Sequence, residues 1–312
     1  MLPRLDTDAE WDEASSDEAA LRPGVKDLCA RLGLADAELT RFPAGSLPVY
    51  AVGAEHVLKL FPGVYAQDGV REARVLSHLE GRLPVPAPQV RAAGPYENGW
   101  HYVLMSRIAG EDLAVAWPRV PAAARDRIAT EAGATLAALH ALDPAPLADV
   151  VGPPDWDTFL DKQRSGVAER QRELGLAQEW LEQIPEYLNS APLLTSAERV
   201  LLHTEFMREH LITDPSDDWR LTGLIDFEPA MTGDRAYDFV AVGLFVTKGD
   251  PRLLTRFYEA YGRAPYPPHT LLAYTLLHVY SNLPRYLKAM PVPPEARLDV
   301  LADTWFGTET GR

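Results

Sequence analysis

The first third of the chain alternates apolar and polar positions; the rest repeats at helical spacing. "VYAV" (49–52) and "HVLKLF" (56–61) are alternating segments joined by the turn "GAE", which predicts an antiparallel hairpin. "APQVRAAGPYENGWHYVLMSRIAG" (87–110) predicts two more strands around an "ENG" turn. Between these pairs, "GVREARVLSHLEGRL" (69–83) places Val70, Ala73, Leu76 and Leu79 on one helical face. Upstream, "VKDLCARLGLA" (25–35) has helical spacing stopped by Gly33, and the acidic residues 1–24 read as a loose or weakly helical leader. From residue 122 onward helices dominate: 122–142, one or two across 156–190, and further ones within 234–290. That run is interrupted at "LLHTEFMREHLIT" (201–213), with "WRLTGLIDFEPA" (219–230) expected as its partner strand.

The pattern predicts an α+β, two-lobed architecture. Residues 25–107 form a small, mostly antiparallel sheet lobe, and 108–312 a helical lobe carrying one hairpin near 201–227 and a helical insertion at about 150–200. Composition is globular, at 46% hydrophobic and 24% charged residues. A formal charge of −15 argues against nucleic acid or an anionic membrane as partner, and is compatible with a cationic small molecule. The single Cys29 rules out an internal disulfide framework, and the acidic start lacks the features of a secretory signal. A cytoplasmic protein, monomeric or homodimeric, is therefore expected.

The interruption at 201–213 carries the densest chemistry. His203 and Glu205 lie just past an apolar strand, His210 follows, and Asp226 ends the apolar run "TGLI", where an acid is costly without a partner. Phosphoryl transfer from a nucleotide needs a carboxylate near the acceptor hydroxyl and hard ligands for metal ions on the phosphates. Glu205 could serve as the first and Asp226 as the second. In the sheet lobe Lys59 could reach the phosphates and Glu72 could hold it. "AGSLP" (44–48), with Ser46, offers a small-residue loop above them, and backbone between Met105 and Ile108 could read a purine edge.

This order resembles the aminoglycoside phosphotransferase and choline kinase family, which shares the protein-kinase-like fold; it is somewhat like the hygromycin-type kinases. The most specific match is "LIDFEPAMTGDRAYDFVAVG" (224–243), and the resemblance spans roughly residues 38 to 290. It implies an ATP-dependent O-phosphotransferase, with GTP as alternative donor and Mg2+ or Mn2+ as the ion. The implied acceptor is a small hydroxylated molecule such as an aminoglycoside-like antibiotic or an amino alcohol.

The family motif has His-Gly-Asp, then four residues, then Asn; the resemblance implies that Glu205 stands where the catalytic Asp would be and His210 where the metal-binding Asn would be. The extra methylene of glutamate moves its carboxylate about 1.5 Å, and misplacement on that scale can cost on the order of a hundredfold in rate. Imidazole suits magnesium poorly and softer divalent ions better. Glu228 replaces the glycine that follows Asp-Phe, adding a third acid. Asp238 and His203 read as structural supports of the loop. Two rival readings remain open at this point. One is a kinase-like pseudoenzyme that binds nucleotide without turnover. The other is an Fe(II) oxygenase using His203, Glu205 and a later histidine such as His269 or His278.

Overall fold

The computed structural model describes residues 1–193 and 198–309; residues 194–197, within the expected 150–200 insertion, and 310–312 lie outside the described residues. The chain divides into two compact units. The first comprises Met1–Gly81, Pro86–Ala109 and Gly223–Ala230, so it takes in the leader and a segment from far down the chain.

In the first unit, α1 (Asp8–Ala14) and α2 (Glu18–Arg31) precede β1 (Leu39–Arg41), β2 (Val49–Val52) and β3 (His56–Phe61). After these come α3 (Ala66–Leu79), β4 (Val90–Pro95) and β5 (His101–Ser106). The five strands form one antiparallel sheet in the order β1-β2-β3-β5-β4, with Lys59 paired to Val49 on one side and Val103 on the other. The predicted hairpins are present; β1 is an additional edge strand. Tyr50, Leu58, Leu60, Phe61, Val75, Leu76, Leu79 and Val103 are all essentially inaccessible and form this unit's core. Helix α3 packs closely because Gly69 has no side chain: a Cβ there would stand 2.6 Å from Phe61 and 2.7 Å from His101.

The leader is neither loose nor weakly helical. Thr7 closes a capping box with Glu10 at the start of α1, and Asp17 caps α2. Leu2, Leu5, Trp11 and Leu21 are buried. These few apolar side chains suffice because the surrounding acids remain at the surface, a segregation that residue counting along an acidic stretch does not reveal.

The second unit comprises Arg82–Val85, Gly110–Thr222 and Met231–Arg312. It contains β6 (Glu111–Asp112), α4 (Leu113–Ala116), α5 (Ala122–His140), α6 (Trp156–Glu173), α7 (Gln178–Leu181) and α8 (Ile184–Ser190). There follow β7 (Val200–Leu202), β8 (Leu211–Asp214), β9 (Arg220–Leu224), whose last two residues count with the first unit, and β10 (Met231–Gly233). The chain then continues as α9 (Asp238–Ala241), a π-helical stretch at Val242–Thr247, α10 (Pro251–Tyr261), α11 (Pro268–Leu277), α12 (Leu283–Ala289) and α13 (Leu298–Phe306). Among the described residues no helix is long and apolar enough to cross a membrane.

Two expectations are corrected here. The partner of β7 is β10, in register Leu202↔Met231, whereas β9 joins β8 in the sheet β6-β8-β9. One hairpin was expected across 201–227, but the segment feeds two sheets. The 156–190 stretch is three helices, broken where Gly175 takes a positive φ of 83°. Helix α11 ends at Leu277, and Asn282 caps α12 by accepting from the Arg285 amide at 3.0 Å.

Helices α5 and α10 touch where Gly133 meets the Phe257 carbonyl, which a Cβ at 133 would strike. Backbone cannot give way as a flexible side chain can, so overpacking outweighs Ala's better helix propensity. Gly133→Ala is expected to lower stability by about 1–3 kcal/mol, read as a reduced urea midpoint.

Candidate active site

The first unit assembles a charge cluster around β3. The alternation that puts Leu58 and Leu60 into the core turns Lys59 the other way, and its side chain is only 7% exposed. Its ammonium lies 3.2 Å from Glu72 of α3 and 2.5 Å from Asp226, and it also pairs with Glu228. Glu72 is almost wholly buried and accepts from the Phe227 amide at 3.3 Å, so α3 and the segment after β9 are tied at the same carboxylate. Arg71, one residue earlier, donates to the Glu228 carbonyl at 2.8 Å.

Three carboxyl groups converge on one ammonium, so the cluster carries negative charge in excess to the extent that the buried carboxyls are ionised. Burial by itself would lower the Lys59 pKa, but Asp226, Glu72 and Glu228 outweigh it and hold the pKa well above the ordinary lysine value. For Glu72 and Glu228 burial is the largest influence and raises both, with Lys59 only partly opposing it. Carboxylate oxygens of Glu72, Asp226 and Glu228 lie within 4.8 Å of one another. This is a hard, oxygen-only donor set, and it fits a divalent ion of the magnesium or manganese kind.

Asp226 has φ of 73°, a left-handed conformation that is strained for a residue with a side chain. Phe227, fully buried beside it, and the Glu72 bond to its amide hold that kink in place. Ahead of it, Gly223 lets the half-buried Ile108 side chain lie against the backbone. Met105 is a buried member of β5, and the next two amides donate to Gln89 and Glu55. Of the two residues expected to border a purine, Ile108 therefore lies past the strand and Met105 within it. Ser46 is exposed in the segment between β1 and β2.

The second unit builds the loop carrying Glu205 and His210. Asp238, at the start of α9, accepts the amides of His203 at 2.9 Å and Thr204 at 2.6 Å. His140 at the end of α5 lies 2.9 Å from the same carboxylate through Nε2 and 2.8 Å from the Tyr261 hydroxyl through Nδ1. Sequence reasoning singled out Asp238 as a support for the loop and missed His140, whose only signal is a histidine ending an apolar helical run. Thr204 has φ of 67°, at the position where the family motif has glycine. Arg208 is buried, donates to the Val246 carbonyl at 2.8 Å and lies 3.5 Å over the Trp117 ring. Burial lowers its pKa to about 9.

Glu205 is half-buried, and its carbonyl is 2.8 Å from Nδ1 of His210. A carbonyl can only accept, so Nδ1 carries the proton and Nε2 of the neutral ring carries the lone pair. Metal-binding histidines are commonly oriented by such a bond to their other ring nitrogen. The His210 and His203 rings stack with centroids 5.8 Å apart. The Gly-Asp of the 224–243 match is structural here: a Cβ on Gly233 would collide with Trp156, and Asp234 caps a turn and accepts from the Tyr274 hydroxyl at 2.9 Å. Among the described residues, His203 and Glu205 do not combine with His269 or His278 as donors to one ion, so the oxygenase triad is not assembled.

A family model described as the phosphotransferase enzyme family matches residues 38–272. Among solved structures, the GDP complex of aminoglycoside 2'-phosphotransferase-IIIa is 19% identical, covering 84% of this chain and 88% of that one, with a TM-score of 0.68. The streptomycin–ATP complex of APH(2")-IIa is 17% identical, covering 90% and 97%, with a TM-score of 0.61. APH(3'')-Id from Streptomyces rimosus is 19% identical, covering 83% and 98%, with a TM-score of 0.60. At these identities the structures establish a shared fold.

His278, next to this loop in the same unit, has an acid-linked consequence. Burial pushes its pKa down to about 4, the Asp238 charge opposing only in part, and its ring stacks on Tyr237 at 4.4 Å. The folded pKa lies below the unfolded value of about 6.5, so between those limits the unfolded chain binds more protons. Stability should be complete above pH ~6.5 and fall toward pH ~4 by on the order of 3 kcal/mol. Urea titrations across this range should show a shallower slope for His278→Asn than for the native chain.

Proposed function

The chain belongs to the phosphotransferase enzyme family, and on that premise we propose that it moves the γ-phosphoryl group of ATP to a hydroxyl of a small molecule. The reading rests above all on the buried Lys59–Glu72–Asp226 cluster, a fixed cation beside metal-competent carboxylates, set in a fold of this family. Lys59 would bind phosphate oxygens, with Glu72 restraining its side chain so that little freedom is lost on binding. Asp226 and Glu228 would supply oxygen donors for a divalent ion, which when bound would neutralise phosphate charge. Nε2 of His210 is a nitrogen donor that favours Mn2+ over Mg2+. The Glu205 carboxylate would accept the hydrogen bond of the acceptor hydroxyl and orient it.

The acceptor class is proposed as aminoglycoside-like antibiotics or amino alcohols. The net charge of −15 suits a cationic acceptor, and one protein of this fold was solved with streptomycin and ATP together. ATP-dependent phosphate transfer should be assayed across aminoglycosides, related antibiotics and amino alcohols, with Mg2+ and Mn2+ in parallel. Absence of transfer to every acceptor, with nucleotide binding intact, would favour the pseudoenzyme instead.

Lys59→Ala is expected to weaken ATP binding or turnover by about tenfold or more, since one charge-assisted contact is lost. Native-like affinity and turnover would remove Lys59 from the site. Glu205→Gln should retain nucleotide binding and lose roughly 10²–10⁴ in kcat; full turnover would leave that carboxylate without a chemical role. His210→Asn should shift the metal preference toward Mg2+, seen as a changed ratio of rates with the two ions.

A further inference from the structure

The first eight residues form a strap across the entrance to α3, the helix that carries Glu72. Leu2 packs so tightly on α2 that a Cβ on Gly24 would stand 2.6 Å from its Cγ. The Leu2 carbonyl accepts from Asn98 Nδ2 at 2.6 Å, and the Pro3 carbonyl from Trp100 Nε1 at 2.6 Å. Farther along, the Leu5 carbonyl accepts from the Val64 amide at 3.1 Å, and the Asp8 carboxylate from the Tyr65 hydroxyl at 2.6 Å. Trp11 meets Trp100 edge-on with centroids 6.2 Å apart. Gly63 has just enough room for this crossing, because a Cβ there would be 3.0 Å from Asp6 and Leu5.

Two of those bonds land on Val64 and Tyr65, in the turn Gly63–Tyr65 that runs directly into α3. Tyr65 occupies the N-cap position of α3 and gives it no side-chain capping bond. A helix start without a cap is prone to fray; here the strap clamps it from outside. Glu72 lies six residues beyond Ala66, about 9 Å along the helix axis, so the clamp sits less than two turns from the carboxylate that restrains Lys59. Glu72 tolerates little displacement: it is buried and serves both Lys59 and the Phe227 amide.

We infer that residues 1–8 are a positioning element for Glu72, fixing the first turn of α3 and through it the Lys59–Glu72 pair. Among the described residues no hydrogen bond or ion pair joins the strap to Lys59 or Glu72, so it acts through the helix. The inference rests on the proposed nucleotide site only for its second measurement.

The test compares the full chain with a variant lacking residues 2–7 and with Tyr65→Phe, which removes one hydrogen bond and keeps the ring. Without nucleotide, amide hydrogen exchange in residues 66–79 should accelerate about tenfold in the deletion and less in Tyr65→Phe, while β3 and β5 keep their protection. Unchanged exchange in residues 66–79 overturns the inference whether or not the chain binds ATP. With Mg-ATP titrated calorimetrically, the deletion should weaken binding about tenfold in the native background and add nothing in Glu72→Gln. An equal loss in both backgrounds would mean that the strap does not act through Glu72, and would also overturn it. If the deletion fails to fold, Tyr65→Phe and Trp100→Phe carry the same two measurements. Should the native chain not bind Mg-ATP, the functional reading fails and the exchange data still decide the strap.

Discussion

A single buried ammonium organises the first unit. Removing Lys59 from water is unfavourable by several kcal/mol, and the fold offsets that by bringing carboxylates to it from two directions. Glu72 arrives on α3 and Asp226 and Glu228 on the segment after β9, more than 150 residues away. Neither source is optional, because a buried lysine facing one distant acid would lose its proton instead of holding the structure together. The same requirement explains why Gly223–Ala230 is packed with the sheet unit and not with the helices that flank it in sequence. Three carboxyl groups around one ammonium make the cluster unlike an ordinary structural ion pair, since its charge is balanced either by a proton on a buried carboxyl or by a further cation.

The second unit solves a comparable problem with a different group. Asp238 gathers two consecutive loop amides and the His140 ring, so the backbone before Glu205 is fixed by one carboxylate. Both loops that carry the proposed chemistry also hold a non-glycine residue at positive φ, Thr204 in one and Asp226 in the other. Such conformations persist only where the surroundings over-determine them. Here those surroundings are the Asp238 carboxylate and the Glu72 carboxylate, each accepting a backbone amide at or next to the strained residue. Departure from the family's glycine at 204 is thus accommodated by buried hydrogen bonding around the loop.

Much of this was legible along the chain. Period-two alternation in 49–61 set the hairpin and turned Lys59 away from the core, and helical spacing in 69–83 put Glu72 on the helix that follows. Asp226 stood out because an acid ending an apolar strand requires a partner, although nothing local named Lys59 as that partner. Segment type and side-chain facing are properties of neighbouring residues, so a linear pattern can encode them.

What only the tertiary structure decided is who meets whom. The pairing of β7 with β10, the capture of the 203–204 amides by Asp238, itself held by His140, the third carboxylate on Lys59 and the strap over α3 all join residues far apart in sequence. Such contacts form where they satisfy buried polar groups and fill space, and many alternative partners have the same local pattern. The acidic leader illustrates the difference most plainly. Its letters suggested a loose or weakly helical leader, yet Leu2, Leu5 and Trp11 become core residues, with Gly24 and Gly63 leaving room for the chain and Trp100 packing edge-on against Trp11. Complementarity of that kind belongs to surfaces that exist only once the chain has folded.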